Sequence, residues 1–105
     1  MLSLFAGRKK IWAALCTARA NGTKPGYDAR IKHPLTAMVR AREQDVENRV
    51  SALLNDNGWK DIVIDRLKLL DEPFHSEDPV MIACYEAAKN KDGGIIIYSD
   101  PVPDA

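Results

Sequence analysis

Across Asn55-Asp56-Asn57-Gly58 the apolar residues change their period from helical to extended, and that change commits the chain to a mixed helix–strand domain. Before the break, Leu35, Val39, Val46, Val50, Leu53 and Leu54 recur at helical spacing, with Met38 beside them. Pro34 suits a first helical position, where its missing N–H has no partner to lose. Asp45 and Arg49 form a favourable i,i+4 pair on the outer face, and Gly58 can adopt the left-handed conformation of a C-terminal cap. The spacing predicts a helix from Pro34 to Asn55, whose polar break at Arg42 faces a loop or a partner. After the break, Ile62 and Ile64 share one face and Val63 the other, while Leu67 and Leu69 fall on the opposite parity. A phase change at Asp65-Arg66 is what a bulge does to a strand; two short strands are the competing reading. Asp71-Glu72-Pro73 closes the element.

A second helix is predicted from Asp78-Pro79, with Asp78 as N-cap and the neighbouring acids suited to the helix dipole. Val80, Cys84 and Ala87 form its inner face, with Met81 and Ala88 alongside, and Asp92-Gly93-Gly94 ends it. Ile95-Ile96-Ile97-Tyr98 reads as a central buried strand, short and apolar on both faces. Ser99-Asp100-Pro101 stops it, leaving 100–105 as an exposed tail. Ile11, Trp12, Leu15 and Cys16 fit a helix by spacing. Two strands, however, make a poor sheet for two amphipathic helices, so residues 10–19 are read as the first strand. The predicted order is therefore β-α-β-α-β in a single α+β domain spanning 1–105. Right-handed crossovers would set both helices on one face of a three-stranded sheet, a two-layer α/β sandwich of ferredoxin-like character. Its other face would be covered by Leu2, Leu4 and Phe5 or by a second subunit.

Composition limits the class more than the function. Fifteen Lys and Arg balance fifteen Asp and Glu, hydrophobic residues make up 46%, and there are two cysteines. These values exclude a collagen-like chain, a zinc ribbon and a strongly basic coat protein. The uncharged run Ile11–Ala18 is far shorter than the roughly 20 residues of a membrane-spanning helix. As a signal peptide, the same run would place Arg19 between the alanines of its cleavage site. Asn21-Gly22-Thr23 matches a glycosylation sequon only in a secreted context, so a cytoplasmic protein without membrane association is expected.

Charge is unevenly distributed: residues 1–49 carry a balance of +6 and residues 50–105 a balance of −6. The long connection 20–33 lies in the basic half. Arg19, Lys24, Arg30 and Lys32, with Tyr27 as a stacking platform, could hold a phosphate or a nucleic-acid backbone. The simpler alternative is a solvated loop tied down by its own turns. His75 sits in the densest run of acids, Asp71–Asp78, where it could act as a base, although capping alone would select those acids. His33 reads as a loop or N-cap position that anchors the loop. Cys16 and Cys84 fall on inner faces, as small hydrophobes do. Trp12, Trp59, Tyr85 and Tyr98 read as core or interface anchors. Asp92-Gly93-Gly94 follows a helix, the reverse of phosphate-loop order, and no metal or cofactor motif is present. The expected protein is a small non-catalytic binding or interaction protein working as a homodimer. The first alternative is an enzyme or anion-binding domain in which Arg30 or Lys32 holds the anion and His75 moves a proton. The second is nucleic-acid binding through residues 19–32.

Overall fold

A computed structural model describes residues 8–22 and 24–98. Four strands, β1 (Lys10–Ala20), β2 (Lys32–Ala41), β3 (Trp59–Leu69) and β4 (Gly94–Ile97), form one sheet in the order β3-β1-β2-β4, with every neighbouring pair antiparallel. A single 3-10 turn at Glu43–Asp45 leads into α1 (Val46–Asp56), and α2 (Pro79–Asn90) joins β3 to β4. The class is α+β, but the sheet has four strands rather than three, and the chain order is ββαβαβ rather than β-α-β-α-β. Leu2, Leu4, Phe5 and the 100–105 tail lie outside the described residues.

The extra strand is the first half of the segment read as one long helix. Leu35 and Val39 are four apart, a spacing that places them on one face of a helix and equally on one face of a strand. In β2 the odd residues Leu35, Ala37, Val39 and Ala41 pack beneath α1, while Met38 packs against α2 on the other side. With both faces covered, no polar alternation marks the strand. The break at Arg42 is the turn out of the sheet. Pro34 is not a helix start; it accepts a hydrogen bond from the Tyr98 N–H at 3.1 Å. It has no N–H to return, which suits a position where the β2–β4 ladder ends.

The helices lie on opposite faces, which overturns the ferredoxin-like comparison. Val46, Val50 and Leu54 of α1 join Ala14, Cys16, Ala18, Leu35 and Val39 in one apolar cluster. Cys84, Tyr85 and Ala88 of α2 join Ile11, Met38 and Ile96 in a second. Residues of opposite parity on β1 and β2 feed the two clusters, so the sheet backbone separates them. The handedness rule behind the two-layer expectation governs parallel connections. The β2–α1–β3 link is one of these. β3 and β4 run antiparallel, so α2 is free to take the other side. Each fully buried Val or Leu of α1 contributes about 1.5–3 kcal/mol of burial, and the small residues of β1 beneath α1 let it bridge β2 and β3.

Several expectations hold at residue level. β1 is a strand, and the register of β1 and β3 shifts at Leu15/Cys16, where Leu15 pairs with Arg66 and Cys16 with Ile64. Asp65 is therefore the extra residue of the bulge. Asp78 caps α2, its Oδ1 accepting from the Val80 N–H at 2.9 Å. The Ile95-Ile96-Ile97 run is apolar on both faces as read, but β4 is an edge strand of four residues and not a central one.

Candidate functional site

The connection expected over 20–33 is shorter: Ala20 ends β1 and Lys32 and His33 begin β2, so residues 21–31 form the loop of the β1–β2 hairpin, and most of its charges hold the loop itself. Asn21 N–H donates to the Gly58 carbonyl at 2.8 Å, and Lys24 Nζ donates to the Asn57 carbonyl at 2.8 Å. The same ammonium lies 5.4 Å from the Trp59 ring centroid and 5.6 Å from that of Tyr27. Tyr27 meets Trp59 and His33 edge-to-face, at 5.3 and 5.5 Å. Arg30 turns back on Asp28, with Nη2 at 2.9 Å from Oδ2 and Nε at 3.1 Å from Oδ1. Those hydrogen bonds hold the Asp28 carboxyl down to about 2. Arg19 donates to the Arg30 carbonyl and stands 3.9 Å from Asp61.

Arg19, Lys24, Tyr27 and Arg30 thus gather at one end of the sheet, with Lys32 paired beside Arg19. His75 does not join them. It lines a cleft with Phe74, Ser76, Glu77, Ile82, Tyr85 and Glu86 against α2.

A different surface emerges from the strand register. On the face that carries α2, paired residues form four rows: Lys68–Ala13–Met38–Gly94, Arg66–Leu15–Thr36–Ile96, Val63–Thr17–Pro34 and Lys60–Arg19–Lys32. The packing of α2 buries Met38, Ile96 and the Ala13 side of the first row. Thr36 is buried as well, while Leu15 is 45%, Val63 50% and Tyr98 41% exposed, with Thr17 and Pro34 half-buried between them. Tyr98 extends the third row, and its hydroxyl lies 3.0 Å from the Thr36 hydroxyl. An apolar strip of Leu15, Val63, Pro34 and Tyr98 is therefore bordered by Arg66 and Lys68 at one end and by Lys60, Arg19 and Lys32 at the other. Lys32, Lys60, Arg66 and Lys68 make no ion pair or hydrogen bond through their side chains among the described residues.

Arg19 and Lys32 were legible as site candidates; Lys60, Arg66 and Lys68 were not singled out, and Tyr98 was read as a core or interface anchor. The signal was the alternation in 59–69. Once Asp65 is taken as the bulged residue, Val63, Arg66 and Lys68 fall opposite Ile62, Ile64 and Leu67; Lys60 joins them only through a second register shift, between Val63 and Lys60, where Asp61 has a positive φ.

Other chemistry is sparse. Burial pushes both thiols up to about 11, with Asp65 adding to the effect on Cys16, so both stay protonated at neutral pH. Among the described residues, no group of three or more His, Cys, Asp or Glu side chains is arranged to hold a metal ion. No helix among them is long and apolar enough to cross a membrane. The chain matches no protein-family model, no curated protein and no solved structure.

Proposed function

We propose that the protein is a non-catalytic binding protein that holds single-stranded nucleic acid against its open sheet face. The observation that carries this reading is the apolar strip with Tyr98 flanked at both ends by unpaired cations. Bases stack on exposed rings and flat apolar surface, while phosphates follow the basic groups on either side. A folded acidic peptide would neutralise the cations but leave the strip without a flat partner. Four unpaired basic groups predict a slope of log affinity against log salt of about −3 for a single strand. Binding of a fluorescent mixed-sequence oligonucleotide across a salt series tests this. A steep loss of affinity with salt supports the proposal; no binding at low salt, or a flat response, overturns it.

A second reading has its own observation. Lys9, Arg40 and Lys89 converge on a cleft of roughly 600 Å³ beside the stacked Phe74–Tyr85 pair, whose ring centroids are 4.7 Å apart. Such a cleft suits a small anionic ligand, although Glu72 and Glu86 on its wall oppose a high negative charge. A melting-temperature screen with mono- and diphosphorylated compounds tests it, and a response abolished by Lys89→Ala is the supporting result.

A further inference from the structure

The two edges of the sheet are built differently. β3, at one edge, carries Lys60, Asp61, Asp65, Arg66 and Lys68 and two register irregularities against β1. Charges and bulges of this kind keep an edge from pairing with another strand. β4, at the other edge, is Gly94-Ile95-Ile96-Ile97, with no charge, proline or bulge. Tyr98 N–H points at β2. Ile96 and Gly94 share that parity, so the N–H and C=O groups of Ile95 and Ile97 point away from the sheet. No strand of the described residues lies beyond them.

We infer that β4 is a homodimer interface, in which two copies pair their β4 strands antiparallel and join their sheets into one. Its basis is independent of the nucleic-acid reading. A two-fold contact sets residue i of one strand opposite j of its copy and j opposite i, and Ile95-Ile96-Ile97, uncharged and apolar throughout, meets its own copy with neither like charges nor unpaired polar side chains. With the axis at Ile96, Ile95 lies opposite the partner's Ile97. Each of these pairs then exchanges both N–H···O bonds.

The helix above completes the surface. Ile82, Glu86 and Lys89 of α2 face the Phe74 side. Helical spacing therefore turns Val80, Ala83 and Ala87 to the opposite flank, away from β1. Val80 is 53% exposed there, and across the axis this flank meets its copy. The axis stands perpendicular to the sheet, so both open faces look in the same direction.

Sedimentation equilibrium of the full chain from micromolar to millimolar concentration tests the interface, together with Ile95→Pro. The Ile95 N–H is not used by β2, so this variant blocks the outer edge and leaves the β2 ladder intact. The expected result is a concentration-dependent dimer for the natural chain and a folded monomer for the variant. A monomer at every concentration overturns the inference, as does a variant that still dimerises. Amide exchange on the natural chain provides a reading that does not depend on the variant folding. The Ile95 and Ile97 amides should gain protection as concentration rises. Fast exchange throughout, or protection independent of concentration as an intramolecular strand would give, overturns it.

Discussion

The hydroxyl of Tyr98 stands 3.0 Å from that of Thr36, a hydrogen bond between an exposed ring and a side chain that is 2% exposed. It ties the one exposed aromatic that the open face carries among the described residues to the centre of the sheet, so the ring is presented with little freedom left to lose on binding. Tyr98→Ala should weaken oligonucleotide binding by about 1–3 kcal/mol, roughly 5- to 160-fold, the usual worth of one base–aromatic stack. Tyr98→Phe keeps the ring and loses its tether, so a smaller loss is expected. Fluorescence anisotropy checks both, with circular dichroism to show that the fold is retained.

The cations of the open face and those of the hairpin loop should separate cleanly in a salt series. Lys60→Ala, Arg66→Ala and Lys68→Ala should each reduce the salt slope by about 0.7 and weaken binding to all sequences alike. Arg30→Ala should leave the slope unchanged, because that guanidinium is engaged by Asp28.

Gly94 lies directly under α2. A Cβ there would sit 2.5 Å from the Cys84 carbonyl oxygen and 2.8 Å from its Sγ. Gly94→Ala must push helix and strand apart, at a cost of about 1–3 kcal/mol. A urea unfolding curve should show the midpoint falling with little change in slope.

The buried thiols make stability sensitive to alkali. Their folded values of about 11 lie above the ordinary 9.0, so the folded state favours the neutral thiol. That contribution is complete below pH 9 and is lost as the pH rises towards 11. Unfolding free energies measured across this window should fall less steeply for Cys16→Ala and Cys84→Ala than for the natural chain. Thiol reagents at neutral pH should modify neither cysteine until the protein unfolds.

What the sequence disclosed follows from how many faces of each element are buried. β3 has one face against α1 and one towards solvent, so its alternation and even its Asp65 bulge could be read directly. α2 is announced by Asp78-Pro79, a local capping signal that needs no tertiary information. β2 is covered on both sides, so Leu35, Met38 and Val39 carried no polar marker. Their spacing then merged with that of Val46 and Val50 into one apparent helix. The edge position of β4 was hidden for the same reason: Ile95 and Ile97 feed one cluster and Ile96 the other. Arg19 and Lys32 were visible as basic residues near a loop. Their companions on β3 lie far along the chain, and only the register brings them together.

The two apolar clusters lie on opposite faces of a single sheet and draw on different residues. β1, β2, α1 and most of β3 build the bulk of one cluster, with Ile95 and Ile97 of β4 packed at its margin. The other depends on α2 and on a strand four residues long. Detaching α2 and β4 exposes Ile11, Met38 and Ile96 and leaves the Trp59–Leu54 side packed, so this half opens at a lower free energy than the whole. Such an opening also lengthens the exposed sheet surface next to Leu15 and Thr36. A long ligand lying on that face would therefore meet a boundary that can retreat, while the strands that carry its cations stay fixed.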